Sequence, residues 1–294
     1  FGIGGEHDLS ERTLPQLRGW RGSSPVRVGN GAWDQPQLDV YGELLDAALV
    51  LRDQLGEMNQ ATRTFLIALA DAAAGQWQQK DNGIWEIRGA PKHFLFSKLM
   101  CWVALDRAVR MAGQLHAIHR AKEWAEAADG IRVAILDQGW NVQAGAFTQS
   151  FASPDLDAAA LMIPIVGFLP ASDSRVLSTV DAIIERLTDE RGLVIRYQTE
   201  SGVDGVTGNE GSFLLCTFWL AQVLADAGRV DEARVVFDNV VKHVNDVGLL
   251  AEEIDSTTGE QLGNFPQAFS HVGLVNAAWA IHQAERRIES VRTS

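Results

Sequence analysis

The chain alternates between two kinds of helix-length segment, and this alternation limits its architecture more than any other feature. From Gly211 to Ala225 there is no charged residue, so a helix there offers neutral or apolar surface on every side. The next stretch, Arg229 to Asn245, is one-faced. Val230, Ala233, Phe237, Val240, Val241 and Val244 recur at helical spacing, while Asp231, Glu232, Arg234, Asp238 and Lys242 fill the opposite side. The same contrast separates uncharged Leu161 to Leu169 from Ser172 to Glu190, which is amphipathic through Val176, Leu177, Val180, Ile183, Ile184 and Leu187. Phe265 to Gln283 is again uncharged.

Helices buried all round, alternating with helices that have one wet face, predict two concentric layers. The expected fold class is therefore all-α, an α/α toroid with an inner ring of helices inside an outer one. The predicted pairs are 38–57 with 59–79, 96–114 with 119–138, 157–169 with 172–190, and 210–227 with 229–245, leaving 264–286 without a partner. That is short of six pairs, so residues 1–294 are expected to form a single toroid domain that lacks its first helix pair. A helical solenoid is the main competitor, but the pairs share no repeat motif.

Composition narrows the partners. A formal net charge of -13 without any basic run excludes a nucleic-acid surface, which needs clustered Lys and Arg. A neutral sugar is compatible with it. No stretch approaches the roughly 18 uninterrupted apolar residues of a membrane span. The two cysteines, Cys101 and Cys216, lie in apolar stretches outside any metal-ligand spacing, and no His-Glu-x-x-His pattern links the seven histidines. These features predict a reducing compartment and a cytoplasmic location, and the glycosidic hydrolysis considered below requires no metal or organic cofactor. The Gly2-Ile3-Gly4-Gly5 run follows no strand and is not read as nucleotide-binding. Oligomeric state is left open.

Long connections at 80–95, 139–156, 191–209 and 246–263 are rich in Gly, Asp, Asn and Trp, and such loops at one end of a helical barrel carry function. Two acidic segments fall within them: Gly83-Ile84-Trp85-Glu86 and Leu250-Ala251-Glu252-Glu253-Ile254-Asp255. Hydrolysis of a glycosidic bond with inversion needs one protonated carboxyl and one ionised one, and apolar burial beside an indole is one route to keeping a carboxyl protonated. If Gly83 to Arg88 is extended, Glu86 and Arg88 share a side and reach one cavity. A surface salt bridge beside a buried Trp is the alternative.

Several segments, in order along nearly the whole chain, resemble the catalytic domain of glycoside hydrolase family 15, the glucoamylase-like enzymes. They are Gly31 to Asp39, Gly83 to Glu86, Arg196-Tyr197, Asn209 to Cys216, Leu250 to Asp255 and Gly263 to His271. The resemblance implies an (α/α)6 barrel and hydrolysis of an α-glucoside, either maltooligosaccharide ends or trehalose. It implies Glu86 as general acid and Glu252 as general base, with Glu260 as the competing base. Glu253, beside the base, either raises the base's pKa or points away. Trp33, Trp85, Arg88, Arg196, Tyr197 and Glu253 are the expected substrate-binding residues. Trp33 has the alternative of a core position, Arg196 of a structural ion pair, and Tyr197 of merely flanking it. Glu210 is read as a helix cap, His271 as a hydrogen-bonded core histidine, and Lys98 as a partner for a carboxylate. The family's first-pair Arg-Asp element and its upstream β-sandwich have no match in this sequence. A catalytically silent carbohydrate-binding or scaffold fragment is therefore the second reading. A toroid of terpenoid-cyclase chemistry is weaker, since no aspartate-rich metal motif occurs.

Overall fold

A computed structural model describes residues 2–198 and 211–292. Its inner helices are α1 (Val40–Val50), α4 (Leu95–Met111), α8 (Leu214–Asp226) and α10 (Ala268–Arg292). Its outer helices are α3 (Gln60–Gln76), α5 (Ala121–Gln138), α7 (Ser174–Arg186) and α9 (Val230–Val241). A four-residue helix α2 (Arg52–Leu55) extends α1 after a break at Leu51. Local chemistry starts several of them: the Asn59 side chain accepts from the Thr62 N–H at the head of α3, and Asp173 accepts from Arg175 at the head of α7.

Burial follows the charge pattern along α8, where nearly every side chain of the uncharged stretch from Leu214 to Ala225 is covered. Helix α4 is covered on both flanks, from Leu95 through Cys101 and Leu105 to Met111, although it carries Lys98, Asp106, Arg107 and Arg110. Along α7 only the Val176, Thr179, Val180 and Ile183 face is covered. Helix α4 packs on α1, α3 and α5, and α8 packs on α9 and α10, so the expected two layers are present. The α1–α4 approach depends on Gly42, where a Cβ would stand 2.2 Å from the Met100 carbonyl oxygen. Lys98 is fully buried, its ammonium donates to the Gln79 carbonyl, and Asp81 is its nearest counter-charge.

The inner helix expected over 157–169 is much shorter than the periodicity predicts. It consists of a 3-10 turn, Ala158–Leu161, followed by a single α-turn α6, Met162–Ile165. Pro164 brings no N–H, and Gly167 leaves the helix with φ 78°. The last helix is longer than expected, reaching Arg292. The connections carry small antiparallel sheets: β1 (Arg12–Thr13) with β2 (Arg27–Val28), β3 (Trp140–Asn141) with β4 (Ala146–Phe147), and β5 (Ser212–Phe213), β6 (Glu253–Ile254) and β7 (Gln261–Leu262) in that order. The last sheet pairs Phe213 with Glu253 and thereby sets the second acidic segment against the head of α8.

One inner face is bare. On α10, Val275 and Trp279 are each more than half exposed, and Phe269 and Val272, equally exposed, border a space shared with Leu215 and Trp219 of α8. Among the described residues no helix is long and apolar enough to cross a membrane.

Candidate active site

A cavity of about 490 Å³ lies among the inner helices and the loops above them, and Glu86 and Glu252 both line it. Trp85, Arg196, Phe213 and Trp219 form an aromatic and cationic wall, and Glu43 of α1 adds a third carboxylate. Arg196 is the only cation among its described lining residues.

The first acidic segment forms a turn, not the extended strand considered from the sequence. Gly83 has φ 70° and Glu86 itself φ 53°, left-handed backbone that costs a non-glycine residue about 1–2 kcal/mol. The turn is closed by Glu86 N–H to the Gly83 carbonyl at 3.2 Å and Ile87 N–H to the Asn82 carbonyl at 3.1 Å. The side-chain amides of Asn82 and Gln35 both donate to the Ile87 carbonyl, at 2.8 and 3.1 Å. Such strain persists where the surroundings over-determine it, typically at functional positions. Its effect is to send Glu86 into the cavity along with Trp85, while Arg88 turns away. Arg88 pairs with Glu11 at 3.1 Å and does not line the cavity.

Glu86 is exposed to the cavity and accepts one hydrogen bond, from the Asn30 amide at 3.0 Å. The buried carboxyl beside the indole belongs instead to Asp157. Its two oxygens each accept from the Trp85 indole N–H at 3.0 Å, and it also accepts from the Ala159 N–H and the Gln149 amide. Burial pushes Asp157 up to about 6, against the opposing pull of those donors and of the Arg196 charge. Arg196 lies over three rings, 5.3 Å from Trp85, 5.1 Å from Phe213 and 5.7 Å from Tyr197. Tyr197 is buried and bridges to Asp157 through the backbone.

Glu252 comes from the other end of the chain and is held by its own loop. Its carboxylate accepts from the Asn264 N–H at 3.1 Å, the Asn264 amide at 3.2 Å and the Gln267 amide at 3.3 Å. Gly263 permits this, since a Cβ there would stand 2.7 Å from the Glu252 carboxylate. The first turn of α10 clamps the backbone on either side. Ser270 donates to the Ala251 carbonyl at 2.7 Å, and the half-buried His271 ring accepts the Leu250 N–H at 3.3 Å while its other nitrogen meets the Gln267 carbonyl at 2.7 Å.

Strand alternation sends Glu253 the opposite way, where it accepts the Gly211 N–H at 3.3 Å and leaves the cavity. Glu260 pairs with Arg21 at 2.5 Å on the exposed surface and does not line the cavity either. Trp33 is 42% exposed, so it is not a core residue, and it too lies outside the cavity lining. Glu210 lies outside the described residues.

Sequence reasoning missed Glu43, Asn30 and Asp157. Glu43 sits on α1, and although water reaches it, loss of hydration in the concave wall pushes its carboxyl up, with Asp46 adding to the effect. Asp39, one turn earlier, is buried with one oxygen unpartnered, and burial pushes it up to about 7 with help from Glu43, Asp81 and Glu86. The uncharged faces of the inner helices drew attention to helices without charge, so an isolated acid on α1 gave no periodic signal.

The sequence profile of glycosyl hydrolases family 15 matches residues 3–279. The trehalase of Mycolicibacterium smegmatis is 39% identical over 290 residues, covering 99% of this chain and 43% of that protein. The trehalase of Thermoplasma volcanium is 38% identical over 284 residues, covering 97% of this chain and 45% of that protein. The chain thus spans less than half the length of these curated relatives. Among solved structures, a bacterial glucoamylase complexed with acarbose superposes with TM-score 0.70 at 16% identity, over 84% of this chain and 41% of that one. The glucoamylase of Saccharomycopsis fibuligera gives TM-score 0.60 at 17% identity, over 74% of this chain and 60% of that one. These last two speak for the toroidal fold alone. The profile runs across almost all of the chain and takes in both segments that deliver cavity carboxylates, so the chain belongs to glycosyl hydrolases family 15.

Proposed function

We propose that the chain is the catalytic toroid of an inverting α-glucoside hydrolase, with trehalose as the favoured substrate and maltooligosaccharide ends as the other. The observation that carries this is the meeting of Glu86 and Glu252, from two distant loops, on one cavity. Glu86, protonated, gives its proton to the glycosidic oxygen as the C1–O bond breaks. Glu252, ionised and fixed by Asn264 and Gln267, takes a proton from the water that attacks C1 from the opposite face. Trp85 and Trp219 offer ring faces to the sugar's C–H surface, and Arg196 offers donors to its hydroxyls. The trehalase relatives favour trehalose over a longer glucan.

The same proposal gives the bare α10 face an occupant. A further helix pair, from the part of the longer relatives that this chain does not span, covers Val275 and Trp279. Proton NMR of the chain with trehalose and with maltotriose tests the activity. New β-glucose supports the inverting reading and identifies the substrate. Sugar binding without turnover would instead establish a silent carbohydrate-binding fragment.

A further inference from the structure

We infer that Asn30 is a positioning residue for Glu86, fixing which carboxyl oxygen carries the transferable proton; this rests on Glu86 being the general acid. The Asn30 amide cannot rotate freely. Its oxygen accepts the Ala32 N–H at 2.9 Å, so its NH2 group is the end that faces Glu86, donating to Oε2 at 3.0 Å. An oxygen already accepting a hydrogen bond in that plane is the poorer seat for a proton, which leaves Oε1 as the protonated, transferring atom.

The Asn30 backbone is anchored on both sides. Its N–H donates to the Leu9 carbonyl at 2.9 Å and its carbonyl accepts from Trp33 at 3.1 Å. Gly29 before it has φ 83°, and a Cβ there would stand 2.4 Å from the Ser10 carbonyl oxygen. Adjacent β1–β2 pairing holds the segment, as Arg12 faces Val28 and Thr13 faces Arg27. Glu86 is equally fixed in its left-handed turn. Two rigid backbones thus meet through a single side-chain hydrogen bond, and its geometry is set before substrate arrives.

Several other charged groups surround Glu86. Glu43, Glu252 and Arg196 line the same cavity, Asp39 lies buried behind, and the nearby Arg88 is engaged by Glu11, which also pairs with Arg27 and accepts the Gly31 N–H. Among the described residues, Asn30 alone donates a side-chain hydrogen bond to the Glu86 carboxylate.

The test compares two substrates of the full chain. Trehalose needs a proton on its bridging oxygen, whereas α-glucosyl fluoride does not: its C1–F bond breaks with fluoride leaving as an anion, while water adds to C1 and loses its proton to Glu252. Asn30→Ala removes the donor without adding charge; Asn30→Asp keeps the acceptor for Ala32, removes the donor and adds a negative charge beside Glu86, and is the second variant. Both are expected to lower kcat on trehalose by roughly tenfold or more and to change the fluoride rate by less than about threefold. Equal losses on both substrates, or no loss on trehalose, overturn the inference. Glu86→Gln separates it from the reading beneath it. If that variant still hydrolyses trehalose, the assignment of Glu86 itself fails. If it loses trehalose and keeps the fluoride while the Asn30 variants show no such split, only the role of Asn30 fails. A chain inert toward both compounds overturns both.

Discussion

The Trp85 indole N–H stands 3.0 Å from each oxygen of the fully buried Asp157 carboxyl, so the tryptophan that walls the cavity is tied to the floor beneath it. The same carboxyl accepts from Ala159 at the start of the inner 3-10 turn and feels the charge of Arg196. Ring, cation and backbone turn are thereby set relative to one another.

That carboxyl gives stability a pH dependence of known sign. Its folded-state value is raised from 3.8 to about 6, so the native state holds the proton more tightly than the unfolded chain. The contribution therefore favours folding at low pH and is lost as pH rises from about 4 through about 6, on the order of 3 kcal/mol in all. Asp157→Asn abolishes this loss, and the Gln149 amide, whose buried oxygen has no partner, can turn to accept from the new NH2 group. Urea unfolding at about pH 4 and about pH 7 is expected to show the variant gaining relative to the parent at the higher pH. Parallel pH profiles for the two proteins would remove the argument.

Glu86→Gln and Glu252→Gln are each expected to lower kcat on the α-glucoside by about 10²-fold or more while leaving the fold intact. Steady-state kinetics with circular dichroism checks both halves of the statement. The proposed roles fail if either variant keeps more than about a tenth of the activity.

The backbone at Glu86 carries strain that can be separated from its chemistry. Glu86→Gly and Glu86→Ala both remove the carboxylate, but only glycine adopts φ 53° without penalty. The Gly variant should be the more stable of the two by about 1 kcal/mol in urea unfolding. Equal stabilities would mean that the turn relaxes.

Glu43 faces the cavity without a hydrogen-bond or ion-pair partner among the described residues, which suits a carboxylate that grips sugar hydroxyls. Glu43→Gln is expected to raise KM about tenfold with a smaller change in kcat, as when binding shared by ground and transition states is lost. A fall in kcat at constant KM would place it in the chemistry instead.

The exposed apolar stripe of α10 should make the isolated chain associate. Val275→Lys with Trp279→Lys is expected to reduce light scattering at high concentration, while each changes stability by less than about 0.5 kcal/mol. Large destabilisation would show that these side chains are already covered.

The layered toroid could be read directly from the order of residues, because burial dictates charge. A helix such as α8 that is covered by α9 and α10 tolerates no charge along most of its length, and one such as α7 that is wet on one side must carry it there. Helix length was less legible at 157–169, since uncharged composition does not reveal that Pro164 and Gly167 stop the helix. The two acidic segments were likewise visible, but their side-chain directions were not. Local spacing put Arg88 beside Glu86; the left-handed turn at Glu86 and the Glu11 carboxylate put it elsewhere. Sequence left open whether Glu253 turned toward Glu252 or away, and pairing of Phe213 with Glu253 decided it. Asp157 under Trp85 and Asn30 against Glu86 involve partners separated by 72 and 56 residues. The sequence by itself determined that largely uncharged segments such as α8 lie inside one-faced ones such as α9, because burial is a one-dimensional pattern along each helix; among α1, α3 and α4, which all carry charge, it set no layer. Only the tertiary structure decided which side chains meet, because each meeting depends on the backbone direction of two segments that the chain brings together from far apart.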